Sequence, residues 1–160
     1  MISGVISEED FLEAQRVHRR PYVRRNVLIM IALVVVGAVV AMSTDFLLPG
    51  IVLFGAGAGG LIGEFLVTTM LWPRRHRRIY RQQLSLHSRH EYTWDEEGVS
   101  ASSENGHAKR PWAQYVRIRE VERMFLLYHS DVMFEMLPKE WFTSSQQIED
   151  FRRHAARAVG

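Results

Sequence analysis

Two apolar blocks limit what this chain can become. Residues 27–42, VLIMIALVVVGAVVAM, carry no charged side chain, and residues 46–72, FLLPGIVLFGAGAGGLIGEFLVTTMLW, carry one, Glu64. A helix needs about 20 apolar residues to cross the hydrocarbon of a bilayer. The second block is ample, and the first reaches the required length when Asn26, Ser43 and Thr44 extend it into the headgroup region. A core helix of a soluble protein keeps a polar face, which neither block has. A cleavable signal peptide fits poorly as well. Residues 1–25 are largely polar, and no small-x-small cleavage site follows the first block. The expectation is a membrane α-helical hairpin over residues 26–73.

The flanks of the hairpin orient it. Arg16, Arg19, Arg20, Arg24 and Arg25 precede the first span, and Arg74, Arg75, Arg77, Arg78 and Arg81 follow the second. The connection between the spans has Asp45 and no basic residue. Positive loops stay on the cytoplasmic side, so both termini are expected there. The arginines would also hold anionic lipid headgroups, at about 1 kcal/mol per basic residue near the surface. Trp72 fits the aromatic belt, and Pro73 allows the chain to turn as it leaves the bilayer. The membrane explains the basic clusters without nucleic acid, so membrane lipids are the expected partners and nucleic acid is not. The chain has no cysteine and a formal net charge of only +2.

Within the hairpin, Gly55, Gly59 and Gly63 recur at four-residue spacing, and Gly37 and Ala41 do so on the first helix. Small residues at this spacing let helices approach closely. Packing inside the hairpin is the favoured use, and homo-oligomerisation is the other. Glu64 lies about 12 Å along the helix from Trp72. An intramembrane acid is a functional candidate by default, although the first span offers it no obvious polar partner.

Outside the membrane, SEEDFLEAQRVHRRP reads as an amphipathic helix with Ser7 and Asp10 as its capping pair and Pro21 at its end, within an N-terminal cytoplasmic segment 1–25. Residues 74–83 read as a basic juxtamembrane linker. From residue 84 to 160 the periodicity becomes strand-like. There are segments at LSLHSRHEYTW, VSASS, HAKRPW, YVRIREV, MFLLYH and VMFEML, with an Asn105–Gly106 hairpin signal and a tight Ser130–Asp131 connection. A C-terminal helix follows, capped from Thr143, Ser144 or Ser145, with Ile148, Phe151, Ala155 and Val159 on one face. The expected cytoplasmic fold is α+β, a small antiparallel sheet or roll closed by an amphipathic helix.

No catalytic constellation is visible. His87 and His90, read as lying on one strand, point to opposite faces and do not share a metal with Glu91. His129, Ser130 and Asp131 are adjacent in a turn rather than brought together from separate positions. The GAGAGG run is inside a span and opens no phosphate loop. Neither enzyme activity, a cofactor nor a metal is expected.

This order of parts resembles the YcxB-like family of bacterial membrane proteins. The resemblance rests on Trp112 in RPWAQYVRIREVERMFLLY and on Leu137, Pro138, Lys139 and Phe142 in LPKEWF. It implies two closely spaced transmembrane helices in a bacterial inner membrane and a cytoplasmic domain similar to a pleckstrin-homology fold. Fewer strands are evident here than the seven of a complete version. Pro138 would end the last strand, the aromatics would form the core, and Lys139 would be a solvated turn residue or part of a headgroup or partner site. The family brings no established activity. The expected role is a membrane-anchored, non-enzymatic module that recognises a protein partner or anionic lipid. The alternative is an accessory subunit of a transporter or envelope complex, acting through the glycine strip and Glu64.

Overall fold

The computed structural model describes residues 1–104 and 106–156. The chain divides into two compact units, one made of Gln15–Arg78 and the other of Met1–Ala14 with the chain from Ile79 onward.

The first unit is a helical hairpin. Helix α1 spans Glu8–Ala41, a short 3-10 turn covers Thr44–Phe46, and α2 spans Leu47–Leu66. A π-helical turn, Val67–Leu71, leads directly into α3, Trp72–Gln82. Both long helices are apolar enough to cross a membrane. Between Val23 and Leu71, the buried residues among those described are Gly37, Gly50 and Gly57. Leu28, Ile31, Val35, Val39, Ile51, Ile62 and Phe65 are all exposed. In a soluble core helix these side chains would be covered by protein, so their exposure points to a lipid environment.

Two prolines behave differently from the sequence expectation. Helix α1 continues through Pro21 instead of ending there. A proline costs about 3 kcal/mol in a helix interior, but each further residue of a long helix adds its own hydrogen bond. Pro73 likewise does not turn the chain, and residues 74–82, expected as a linker, are helical. The π turn explains this. The Trp72 N–H donates to Val67 O across the widened turn, which makes room for a proline ring with no N–H to place.

The second unit is built on two antiparallel sheets. Strands β1 (Ile2–Gly4), β2 (His90–Trp94), β3 (Gly98–Ser103) and β4 (Gly106–Pro111) form one in the order β1-β2-β3-β4. Strands β5 (Arg117–Glu120), β6 (Met124–Tyr128) and β7 (Phe134–Pro138) form the other. Helix α4, Ser145–Ala156, closes the unit. The α+β expectation of antiparallel sheets and a C-terminal helix holds.

The turns follow local chemistry. Asp95 Oδ1 accepts the N–H groups of Glu97 (2.8 Å) and Gly98 (2.9 Å), bending β2 into β3. Gly106 has φ +146°, a conformation that requires glycine. Its predicted partner in the hairpin signal, Asn105, lies outside the described residues, as does Val159. The β6–β7 connection is longer than expected. His129 N–H donates to Met133 O at 2.9 Å, so Val132 and Met133 belong to the turn and are exposed. The Ser130 hydroxyl accepts the Met133 N–H at 3.1 Å and stabilises this turn in place of the ladder.

Strand β1 was not foreseen, and it changes the organisation of the N-terminus. Ile2 lies opposite Tyr92 and Gly4 opposite His90. Ile2, Ile6, Phe11, Leu12 and Ala14 are buried. The predicted capping pair is present: the Asp10 N–H donates to Ser7 Oγ (3.0 Å), and the Ser7 N–H donates back to Asp10 Oδ2 (3.3 Å). The start of the chain is therefore part of the sheet unit.

The core centres on Phe151 of α4, which is fully buried and ringed by Phe125 (4.8 Å between centroids), Trp94 (5.1 Å), Phe142 (5.8 Å) and Trp112 (5.9 Å). Ser144 Oγ accepts the Gln147 N–H at 3.2 Å, and Gln147 Oε1 accepts the Thr143 N–H at 2.9 Å, so α4 is capped from both directions.

Candidate functional site

The hairpin residues do not act as one group. Arg20, Arg24, Arg25, Arg74, Arg75, Arg77, Arg78 and Arg81 are exposed, which suits contact with headgroups. Arg81 lies 3.7 Å from Glu8. Arg19 differs from the rest: its Nη2 donates to Glu64 Oε1 at 2.5 Å, and the Thr68 hydroxyl donates to the same oxygen at 3.1 Å. The intramembrane acid therefore has a partner in the first helix. That partner was hidden because a helix ending at Pro21 leaves Arg19 outside the span; once α1 is continuous, Arg19 belongs to the same rod as Val27–Ala41.

The glycines divide between two faces. A Cβ on Gly37 would lie 2.9 Å from Gly50 O and 2.8 Å from Phe54 Cα, and one on Gly50 would lie 2.7 Å from Ala41 Cβ. A Cβ on Gly57 would lie 2.7 Å from Met30 O. These positions form the close contact between α1 and α2. Gly55, Gly59 and Gly63 have nothing within 4 Å of a built Cβ. The expected strip thus faces away from α1, which corrects its favoured use in packing the hairpin. Four-residue spacing identifies a face but not its direction, and Gly37 and Ala41 instead meet Gly50 and the neighbourhood of Phe54.

The family-motif residues are structural. Trp112 is buried and its Nε1–H donates to Asp95 O at 2.9 Å, tying the β4 exit to the β2–β3 turn. Leu137, Pro138 and Phe142 are buried. Pro138 closes β7 opposite Met124. Lys139 stands in the turn that follows β7 and is paired within the fold. Its Nζ lies 2.6 Å from Glu120 Oε1 and 5.3 Å from the Phe125 ring centroid. Arg152 of α4 grips the same carboxylate, with Nη2 at 2.5 Å and Nε at 2.7 Å. The Arg152 hydrogen bonds, followed by that of Lys139, hold the Glu120 carboxyl down at about 2. This carboxylate joins β5, the LPK turn and α4.

A second polar cluster is centred on Glu135. His129 Nε2 lies 3.0 Å from Glu135 Oε1, the Tyr115 hydroxyl donates to Oε2 at 3.3 Å, and Arg110 Nε is 3.9 Å from Oε1. Burial pushes the Tyr115 and Tyr92 hydroxyls up, and it holds the His129 imidazole below its ordinary range against the opposing pull of Glu135. His129 Nδ1 is buried without a hydrogen-bond partner among the described residues. Sequence alone offered no signal for this cluster, because its members come from β2, β4, the β4–β5 connection, the β6–β7 turn and β7.

The other residues considered for chemistry are dispersed. His87 ends a 3-10 turn, Leu84–His87, instead of lying on a strand, and its Nε2 is 3.1 Å from Tyr80 O. His90 Nε2 is 2.9 Å from Ser85 O, while Glu91 is an exposed residue of β2. Ser130 serves the turn described above. Among the described residues no group of three or more His, Cys, Asp or Glu side chains is placed to hold a metal ion. A shallow hollow of about 330 Å³ opens along the 101–103 and 106–108 segments of β3 and β4 beside His90, with Ser102 and His107 in its lining as well as Ala101, Ser103, Gly106 and Ala108.

No curated protein and no solved structure matches the chain. Residues 94–155 match the family model of the YcxB-like proteins, from the last residue of β2 through most of α4, including Trp112, the LPK turn and Phe142. Residues 94–155 are thus similar to the YcxB-like proteins, and they are preceded by two helices long and apolar enough to cross a membrane.

Proposed function

We propose that this protein is a non-enzymatic binding module held at the cytoplasmic face of a bacterial inner membrane, and that its sheet unit recognises a protein partner. The observation that carries this reading is the contrast between the two units. The hairpin buries only three glycines over the length of its spans, whereas the sheet unit has a dense aromatic core. The first is suited to lipid and the second to presenting a surface in water. The seven strands among the described residues, in two sheets with a closing helix, support the reading of the sheet unit as a pleckstrin-homology-like roll. The exposed arginines hold anionic headgroups and keep both termini inside. Arg110, Glu120 and Lys139 of the motif region are engaged in the Glu120 and Glu135 clusters, which tie β4, β5, β7 and α4 together and favour a bracing role for these three charges.

The test uses the whole chain, because a fragment beginning at residue 82 would lack β1 and the buried Ile2, Ile6 and Phe11. A photo-reactive residue is introduced at exposed positions of the sheet unit, such as Glu104, His107 or Val132, and crosslinked in native membranes. A protein adduct obtained through these positions is expected. Adducts to lipid alone, or none, would overturn the proposal.

A second reading is favoured by one observation, the outward Gly55–Gly59–Gly63 strip. The hairpin would then join other membrane helices as an accessory subunit. Gly59→Leu should abolish co-purification of such a partner while leaving the sheet unit folded; persistence of the complex would remove this reading.

A further inference from the structure

We propose that strand β4 is a docking edge for an extended segment of a partner protein, one large apolar side chain of which enters the hollow beside it. This rests on the binding-module reading and specifies where on the module the partner sits.

The free edges of the two sheets are not equivalent. Strand β1 has three residues, and Gly4 on it lies against the Trp141 ring. Strand β5 is held at Glu120 by Lys139 and Arg152. Strand β7 ends in buried Leu137 and Pro138. Strand β4 ends its sheet, pairs with β3 without a bulge from Gly106 to Pro111, and exposes Gly106, His107, Ala108 and Lys109. Proteins usually blunt such an edge with a bulge, an interior proline or a projecting lysine. Here the proline comes only at the last residue, and Lys109 is drawn back to Glu97 (2.6 Å) and Asp95 (2.9 Å).

Beside this edge the inner face is underfilled. Residues directly opposite in an antiparallel sheet share a face. Ile2, Tyr92, Ala101 and Ala108 therefore form one row across the sheet, and Gly4, His90, Ser103 and Gly106 form the next. Ile2 and Tyr92 are buried at the far side of the first row. Toward β4 both rows shrink to methyl, hydroxymethyl and hydrogen, and this leaves the hollow of about 330 Å³. A strand added to β4 would turn alternate side chains onto this face.

The hollow also selects the occupant. In a second copy paired edge to edge, β4 would offer Gly106, Ala108 and Arg110 from its inner face. Glycine and alanine leave the hollow open, and Arg110 lies with Glu135. A leucine, isoleucine or aromatic residue from a different segment fills it. The partner is thus an extended peptide with one large apolar residue between outward-facing polar ones.

The full-length protein in lipid nanodiscs is panned against a displayed library of random linear peptides. Enriched peptides should share one large apolar position, and the best of them should protect the β4 backbone amides from hydrogen exchange. Ala108→Trp and, independently, Ala101→Leu on β3 fill the hollow and should weaken that peptide about tenfold or more. Unchanged amide exchange in β2 and β6 verifies that each variant is folded. A lack of enrichment, or binding indifferent to both variants in folded protein, would overturn the inference. A native-membrane crosslink obtained elsewhere on the sheet unit in that case would leave the module reading standing and remove only the β4 site.

Discussion

Replacing either of two glycines two residues apart on α2 should give opposite results. A Cβ on Gly57 would stand 2.7 Å from Met30 O and 2.8 Å from Val34 N and Cγ2, and the nearest of these are backbone atoms of α1 that cannot rotate away. Overpacking a close contact costs about 1–3 kcal/mol. Gly57→Leu brings a full side chain against helix backbone, so about 3 kcal/mol is expected, enough to separate the helices locally. Gly59 has nothing within 4 Å of the same construction. Leucine there meets open space and gains about 0.8 kcal/mol of helix propensity over glycine. At about 2–4 °C per kcal/mol for a chain of this size, Gly57→Leu should lower the unfolding midpoint of the full-length protein in mild detergent by about 6–12 °C. Gly59→Leu should leave it unchanged or slightly raised. Circular dichroism during a thermal ramp reads both. Equal destabilisation, or a larger drop for Gly59→Leu, would refute the assignment of faces.

Other perturbations probe the charged contacts and the N-terminus. Arg19→Ala leaves Glu64 without its partner in the span and should cost about 3 kcal/mol, whereas Arg19→Leu with Glu64→Leu should recover most of that loss in a detergent-unfolding titration. Glu120 has a folded-state pKa of about 2 against an ordinary 4.5, so its stabilisation is complete above pH 4.5 and is lost as the pH falls toward 2. Glu120→Gln should cost about 1–2 kcal/mol at neutral pH, less than the shift alone implies because the carboxylate is partly exposed, and variant and parent should converge as acid is added. Ile2→Ala, at the 2 % exposed first residue of β1, should cost about 2–4 kcal/mol and speed amide exchange in β2; no change in β2 would show that the N-terminal strand contributes nothing to the sheet.

Much of this architecture was legible because its signals are local and repeated. Uninterrupted apolar runs announce the spans, Ser7 and Asp10 announce the start of α1, and alternation from His90 to Pro138 announces the strands. What escaped depends on distant parts of the chain. A three-residue strand has no periodicity, and Ile2 acquires meaning only opposite Tyr92. Pro21 and Pro73 are local stop signals that lose to long helices and to a π turn at Val67–Leu71. Four-residue spacing marks Gly55, Gly59 and Gly63 as one face, but only the fold shows that Gly50 and Gly57, not Gly55 and Gly59, meet α1. Lys139 and Arg152 are far apart in sequence, and neither predicts the other until β5 brings Glu120 between them. Arg19 shows the same dependence within the hairpin, where the reading of one proline decided whether Glu64 had a partner.

The proposed topology, a hairpin that crosses the bilayer with β1 and the later strands on the cytoplasmic side, is tested most directly by labelling from outside the cell. The chain has no cysteine, so single cysteines can be introduced without background at Ser43 in the connection between α1 and α2, at Val5 and at Glu104. Labelling intact cells with a membrane-impermeant maleimide should modify the Ser43 variant immediately. The Val5 and Glu104 variants should react only after the membrane is permeabilised. Labelling of Val5 or Glu104 in intact cells, or protection of Ser43 while both others react, would contradict the account.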